Sequence, residues 1–131
     1  MRLGKNLRSF SRCRSGAQAV EFAIIAPVLF AFIFGVFEVG RLTFEQNRVA
    51  AAAAAGARAV SLYGGADTVN ITAAINGKLP YQAQISLTDT SLGGQSFKKI
   101  DVTYDFDFLI KFSKDWSGVT ITATRYAPAL S

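Results

Sequence analysis

Carboxylates are the side chains in this sequence best placed to do chemistry, because histidine is absent and one cysteine is present. Asp101, Asp105 and Asp107 lie close together along the chain, and carboxylate oxygens are ligands that Ca²⁺ prefers. Their spacing is typical of a strand rather than of a wrapped calcium loop, so a solvated polar face is the competing interpretation. Beyond this calcium candidate we expect no metal site, no cofactor and no catalytic residue, and we do not expect an enzyme.

Two further side chains have open interpretations. Trp116, beside Lys114 and Asp115, is either a surface contact for a partner or the cover of a small core. Cys13 has no second cysteine for an intrachain disulfide, and the residues before it do not resemble a lipoprotein signal, so we assign it no role.

The positive charge of the chain is concentrated at its N-terminus. The formal net charge is +5, yet residues from 17 onward carry nine basic and nine acidic side chains. This distribution argues against binding to nucleic acid and predicts a cytoplasmic N-terminus with an exported C-terminal part. The basic side chains that precede residue 17 are those of Arg2, Lys5, Arg8, Arg12 and Arg14.

An apolar block over residues 17–37 follows, interrupted only by Gln18 and Glu21. As a helix it would be about 31 Å long, which matches the hydrocarbon core of a bilayer. The block exceeds the usual length of a secretory signal core, so we predict a retained single-pass anchor.

Glu21 and Pro27 are the unusual residues of this block. A carboxylate is costly at a membrane centre and less so near a helix N-terminus. Glu21 therefore either lies in the first turns of a helix that begins at Ala17 after cleavage, or reaches the interface from an uncleaved anchor. Pro27 removes a backbone hydrogen bond and predicts a kink or a locally melted turn, with or without a functional role.

Residues 16–60 resemble TadE-like proteins, the minor pseudopilins of tight-adherence (Tad, Flp-type) pili. The resemblance rests on Gly16, four residues, then Glu21 and Phe22, on Pro27 within the apolar block, and on the Gly35–Glu38–Gly40–Arg41 pattern after it. The resemblance implies cleavage between Gly16 and Ala17 by a prepilin peptidase, with Glu21 serving processing or subunit registration. It also implies partners, namely other pilins or pseudopilins, the inner-membrane pilus platform and the lipid bilayer.

The expected function is therefore that of a minor pseudopilin in pilus assembly, surface adherence or secretion. The expected location is a bacterial inner membrane, with incorporation in an extracellular pilus left open. The alternative is an uncleaved single-pass accessory protein that binds the pilus or secretion machinery. The chain differs from many family members in two ways. Members are often longer, and many carry paired cysteines in the exported domain, where this chain has no cysteine. The resemblance leaves TadE, TadF and other TadE-like roles open.

The helix is expected to continue beyond the membrane to about residue 62, since no proline intervenes and alanine fills residues 50–55. Glu38–Arg41 and Glu45–Arg48 are expected to form i,i+3 pairs on a solvated face. The small residues allow close approach either of another helix or of the protein's own sheet. One apolar face is expected from Leu42, Val49, Ala53, Gly56, Val60 and Tyr63.

The remaining residues predict a small head. Gly64 and Gly65 should end the long helix, and Asp67 should cap a short helix that Gly77 closes. Alternating patterns over residues 81–88, 99–108 and 119–124 predict three strands, with turns at Gly93 and Gly94 and over residues 111–118.

The predicted fold class is α+β: a long N-terminal transmembrane helix, a short second helix and a three-stranded antiparallel sheet packed on the helix. The predicted parts are a leader (1–16), a transmembrane helix (17–38), its periplasmic extension (39–63) and an exported head (64–131).

Overall fold

The computed structural model describes residues 14–111 and 118–129. Most of the basic leader, with Cys13, and the loop residues Lys114, Asp115 and Trp116 lie outside the described residues. The predicted α+β fold is confirmed: the elements are α1 (Arg14–Tyr63), α2 (Thr68–Asn76), β1 (Gln84–Leu92), β2 (Gln95–Asp107) and β3 (Gly118–Pro128). The chain divides into two compact units, Met1–Phe37 and Glu38–Ser131.

The described part of the first unit is the N-terminal portion of α1. Its large apolar side chains are exposed, including those of Phe22, Val28 and Phe32. By length and composition α1 is able to cross a membrane, and none of its most apolar stretch is buried. An apolar helix that covers no core of its own is typical of a membrane segment.

In the second unit, hereafter the head, one face of α1 covers the sheet. The expected face is largely confirmed, because Val49, Ala53, Gly56 and Val60 are buried, but Tyr63 is 57% exposed. Tyr63 is the last residue of α1, and its side chain is not part of the buried face. Ala52 and Ala59 are buried as well.

The core of the head is formed by α1, α2 and the inner face of the sheet together. Thus the small residues of α1 contact the protein's own sheet and second helix, which was one of the two alternatives. The buried side chains outside α1 are Ile71, Ile75, Leu79, Ile100, Val102, Phe106, Ile121 and Ala127.

The sheet is an antiparallel meander in the order β1-β2-β3. Leu92 pairs with Gln95, so Gly93 and Gly94 form a two-residue hairpin turn as predicted. Their φ angles of 60° and 82° require left-handed backbone, which glycine adopts readily. Strand β2 runs opposite to α1, because Phe106 at its end lies under Arg41 whereas Lys98 near its start lies beside Gly65.

The strand bounds differ from those predicted. Strand β1 begins at Gln84 rather than at residue 81, and it continues to Leu92. Tyr81 and Ala83 still pack against the core although they precede the strand. The alternation of apolar and polar residues indicated which side chains face inward. It did not distinguish a paired strand from the extended segment that leads into it.

The ends of both helices follow the predicted chemistry. Gly64 has a φ of 86° and donates its N–H to Val60 O at 2.9 Å, which ends α1. Asp67 caps α2, since its Oδ1 accepts the N–H of Asn70 at 3.1 Å. That bond to the backbone N–H of Asn70, with a second to its side chain, lowers the pKa of Asp67.

Candidate functional site

The predicted processing residues lie together at the start of α1. Helix α1 begins at Arg14, so Gly16 and Ala17 occupy its first turn, and Glu21 and Phe22 follow on the next turns. The first turn of α1 contains no acidic residue. Ala17 and Glu21 are four residues apart and therefore share one face of the helix. A cut after Gly16 would place a new amino group one turn from the Glu21 carboxylate.

Pro27 lies inside α1, and the helix continues on both sides of it. The turn is therefore not melted, while a bend at Pro27 stays a prediction. The neighbouring side chains form an open apolar surface with almost no polar lining, which suits contact with lipid or with another membrane helix. That surface is lined by Ile24, Ile25, Val28, Leu29 and Phe32.

Glu38 and Arg41 form a polar cluster at the start of the head. The predicted ion pair is present, with Arg41 Nη1 at 2.9 Å from Glu38 Oε2. Glu38 Oε1 also accepts the backbone N–H of Leu109 at 2.9 Å, 71 residues along the chain. The Arg41 guanidinium lies 4.9 Å from the centre of the Phe106 ring, a cation–π contact. The contacts of Glu38 and Arg41 therefore hold the end of β2 and the residues after it against α1.

Glu45 and Arg48 form a second cluster two turns further along α1. Arg48 Nη1 lies 3.4 Å from Glu45 Oε1, and Tyr81 donates its hydroxyl to Glu45 Oε2 at 2.6 Å. The Tyr81 ring stacks on Tyr104 with ring centres 3.9 Å apart. Burial raises the pKa of Tyr81, and the hydrogen bond to Glu45 raises it further. The segment before β1 is therefore held against both α1 and β2.

The prediction that these two pairs lie on a solvated helix face is wrong. The side chains of Glu38 and Glu45 are only 12% and 18% exposed, because each carboxylate also accepts a bond from the sheet side of the head. The i,i+3 spacing revealed the ion pairs but not these long-range partners. The one sequence feature that singled out Glu38 and Arg41 was their place in the family-like pattern directly after the apolar block.

The outer face of the sheet carries the three aspartates of the calcium candidate. Thr124 donates to Asp101 at 2.5 Å, and Thr120 donates to Asp105 at 2.7 Å. Lys99 Nζ lies 2.8 Å from Asp101, and this bond, with that of Thr124, lowers the pKa of the Asp101 carboxyl. Within residues 14–111 and 118–129 no group of three or more potential ligands is close enough to hold a metal ion. Asp101 and Asp105 thus make cross-strand hydrogen bonds to threonines of β3 rather than contributing to a cation cage.

Lys98 is a buried charge that the sequence reading did not identify. It faces α1 and is 5% exposed, and its Nζ lies 2.5 Å from Asp89 Oδ1 on the paired strand. Because β2 begins four residues earlier than predicted, Lys98 occupies an inward position of the strand. The ion pair satisfies its charge at the rim of the core.

Comparison with known proteins gives one match. Residues 16–58 match the family model described as TadE-like protein, which confirms the predicted resemblance. No curated protein and no solved structure matches the chain. The matched stretch begins at Gly16 and includes the apolar segment, both polar clusters of α1 and most of the buried face of that helix.

Proposed function

We propose that this chain, TadE-like over residues 16–58, is a minor pseudopilin of a Tad pilus that is processed by a prepilin peptidase between Gly16 and Ala17. The observation that carries the proposal is where the match begins and what it covers. It starts at the glycine of the predicted cleavage site and extends through an apolar helix able to cross a membrane. The same match suggests a Tad pilus-associated, membrane-anchored protein.

The protein acts through assembly rather than catalysis. The basic leader keeps the precursor in the inner membrane with its N-terminus in the cytoplasm and its head in the periplasm. Removal of the leader exposes the amino group of Ala17 one turn from Glu21, at the positive end of the helix dipole. The apolar part of α1 then packs with other pilins or pseudopilins and with the inner-membrane platform. Adherence or secretion follows from the assembled pilus.

The structure of the unprocessed chain is compatible with access by a peptidase. Gly16 and Ala17 lie in the first turn of α1, where the backbone N–H groups have no helical partner. Such a turn opens at low free-energy cost compared with the interior of a helix. A Cβ at Gly16 would contact no other atom within 4 Å, so a substitution there changes the site without disturbing packing.

Intact mass measurement of the membrane-extracted protein, co-expressed with its prepilin peptidase, tests the proposal. We expect the wild-type mass to begin at Ala17 and the Gly16→Ala variant to retain its leader. Gly35→Ala is the matched control, because it makes the same change on the same helix and its Cβ also meets no atom within 4 Å. The control should be processed as the wild type is.

A full-length mass for the wild type, with the peptidase active on another pilin, would contradict the proposal. That outcome would favour the uncleaved single-pass accessory protein. Processing of both glycine variants would instead remove Gly16 from the cleavage site. The second readout is pilus formation, which we expect Gly16→Ala to impair in a strain lacking the wild-type chain and Gly35→Ala to preserve.

A further inference from the structure

Strands β1 and β3 form the two edges of the sheet, because the strand order is β1-β2-β3. Among the described residues, no further strand pairs with either of them. The outer side of each edge strand therefore presents backbone N–H and C=O groups that have no partner within the sheet. With nine residues in β1 and eleven in β3, both edges are long enough to pair with another strand.

The two edge strands carry opposite charges. The one charged residue of β1 is Asp89, and the one charged residue of β3 is Arg125. Asp89 lies opposite Lys98, and Arg125 lies opposite Ile100, so both charged residues belong to the inner face of the sheet. Both are exposed, and the Asp89 side chain is 80% exposed. Lys98 lies beside one carboxylate oxygen of Asp89, which leaves the carboxylate able to accept bonds from a second cation.

These charges determine which edges of two copies are complementary. Two β1 edges would bring two carboxylates together, and two β3 edges would bring two guanidinium groups together, whereas β3 beside β1 joins opposite charges. Strands β1 and β3 are both antiparallel to β2, so they run parallel to each other. A second copy displaced sideways in the plane of the sheet, with its inner face on the same side, therefore presents its β1 parallel to β3 of the first.

One register fits both the charges and the faces of the two strands. With Arg125 beside Asp89 of the second copy, residues 120–128 lie beside residues 84–92, which is the whole of β1. Because side chains alternate along both strands, inner-face residues then lie beside inner-face residues throughout. The apolar pairs created on the inner face are Ile121 with Ile85 and Ala123 with Leu87. Three of these four side chains are only partly buried in the single chain, so pairing removes apolar surface from water.

We propose that β3 of one head pairs in parallel with β1 of a second copy of this chain, with Arg125 beside Asp89 of that copy. The sheet then continues from one head into the next. Because each copy uses two different edges, the contact is heterologous and can be repeated along a row of subunits. The inference concerns the head alone and does not depend on cleavage of the leader.

Cross-linking between single-cysteine variants of the full-length protein tests this arrangement. In a Cys13→Ser background, Ser86→Cys and Thr122→Cys are purified separately, mixed in detergent micelles and oxidised with copper phenanthroline. Both positions are exposed, and the proposed register makes them neighbours on the outer face of the joined sheet. Thr103→Cys is the matched control for Thr122→Cys, because the two hydroxyls contact each other and Thr103 lies on the central strand. A size tag on one variant distinguishes the mixed dimer on a gel.

We expect Ser86→Cys and Thr122→Cys to form a mixed dimer in excess over the dimers that each forms alone. A mixture of Ser86→Cys with Thr103→Cys should give little. Dimers of Ser86→Cys alone in equal amount would overturn the proposal, since they would indicate pairing of two β1 edges. A mixed-dimer yield no higher than that of the Thr103→Cys control would also overturn it.

Substitution of Arg125 distinguishes an attractive charge from a protective one, because inward-facing charges on edge strands are also used to prevent pairing. We expect Arg125→Ala to lower the yield of the mixed dimer about two- to fivefold, as for loss of an exposed ion pair, and Arg125→Lys to retain most of it. An unchanged or increased yield for Arg125→Ala, with a near-ultraviolet circular dichroism spectrum like that of the wild type, would overturn the proposal.

Discussion

Gly56 is a residue of α1 that packs closely against the rest of the head. A Cβ built at Gly56 would lie 2.8 Å from both Cγ1 and Cδ1 of Ile75 and 3.4 Å from Cγ2 of Ile100. Glycine is unfavourable inside a helix by about 1 kcal/mol relative to alanine, so its presence here reflects packing rather than helix formation.

We therefore expect Gly56→Ala to lower the free energy of unfolding of the head by about 1–3 kcal/mol through overpacking. The measurement is denaturant unfolding of the full-length protein in detergent micelles, followed by near-ultraviolet circular dichroism. Gly40→Ala is the control, because its Cβ meets no atom within 4 Å and the helix should gain slightly. Adding Ile75→Val to Gly56→Ala should restore part of the loss. Equal stability of the two alanine variants would show that α1 and α2 are further apart.

The elements of the head are joined by side chains of α1 that reach across to the sheet. The Glu38 carboxylate accepts the backbone N–H of Leu109, which follows β2. The Glu45 carboxylate accepts the hydroxyl of Tyr81, which precedes β1. Each carboxylate combines a short-range partner on its own helix with a long-range partner from the sheet side. Such bonds at low exposure are costly to break, because the remaining polar group stays partly desolvated.

Ionisation of the Tyr81 hydroxyl should lower the stability of the head at alkaline pH. Burial and the bond to Glu45 raise the pKa of Tyr81 in the folded state above its unfolded value of about 10. A raised folded pKa gives a contribution that is complete below the unfolded pKa and is lost as pH rises toward the folded pKa. The free energy of unfolding should therefore fall more steeply above about pH 10 in the wild type than in Tyr81→Phe.

Thermal unfolding at a series of pH values, for wild type and Tyr81→Phe, measures this difference. Near neutral pH we expect Tyr81→Phe to be less stable by about 1–2 kcal/mol, since the Glu45 carboxylate loses a donor. The two stability curves should converge at alkaline pH. Tyr126→Phe is the control, because Tyr126 is 52% exposed. Parallel curves for wild type and Tyr81→Phe would mean that the bond to Glu45 is absent in solution.

The sequence predicted those elements that depend on local chemistry. Gly93 and Gly94 determine the hairpin, Gly64 and Asp67 determine the helix ends, and alternation determines which side chains face inward. The strand bounds and the burial of Lys98 depended on strand pairing, which no local pattern contains. The partners of Glu38 and Glu45 lie 71 and 36 residues away, so single-sequence spacing could not identify them.

The helical placement of the candidate processing residues was predictable from sequence, while their role in processing stays a prediction. Gly16, Ala17, Glu21 and Phe22 are consecutive or nearly so, and a helix places them on adjacent turns without help from any other element.

At the scale of the whole molecule, the buried core of the described residues lies in the head. Within residues 14–111 and 118–129, the buried hydrophobic side chains run from Val49 to Ala127, and none of them belongs to the first unit. The first unit contributes exposed apolar surface, as a lipid-facing segment does. The stability of the head should thus not depend on the membrane segment.

We expect a fragment of residues 38–131 to fold in water and to unfold cooperatively, because it retains the full core and both polar clusters of α1. A fragment of residues 64–131 should not fold, since it lacks Val49, Ala53 and Val60. Circular dichroism melting of both fragments, with amide exchange of the longer one, measures this. Failure of the longer fragment to fold would show that residues before 38 are part of the folding unit.

Within the head, the residues of α1 form one wall of the core, since Val49 and Val60 are buried together with Ile100. A mechanical load applied to this part of the helix would therefore act directly on side chains packed against the sheet. Because the Glu38 carboxylate also accepts the backbone N–H of Leu109, such a load would reach the end of β2 as well. The contact between helix and sheet is thus the part of the head that would limit its resistance to a pulling force.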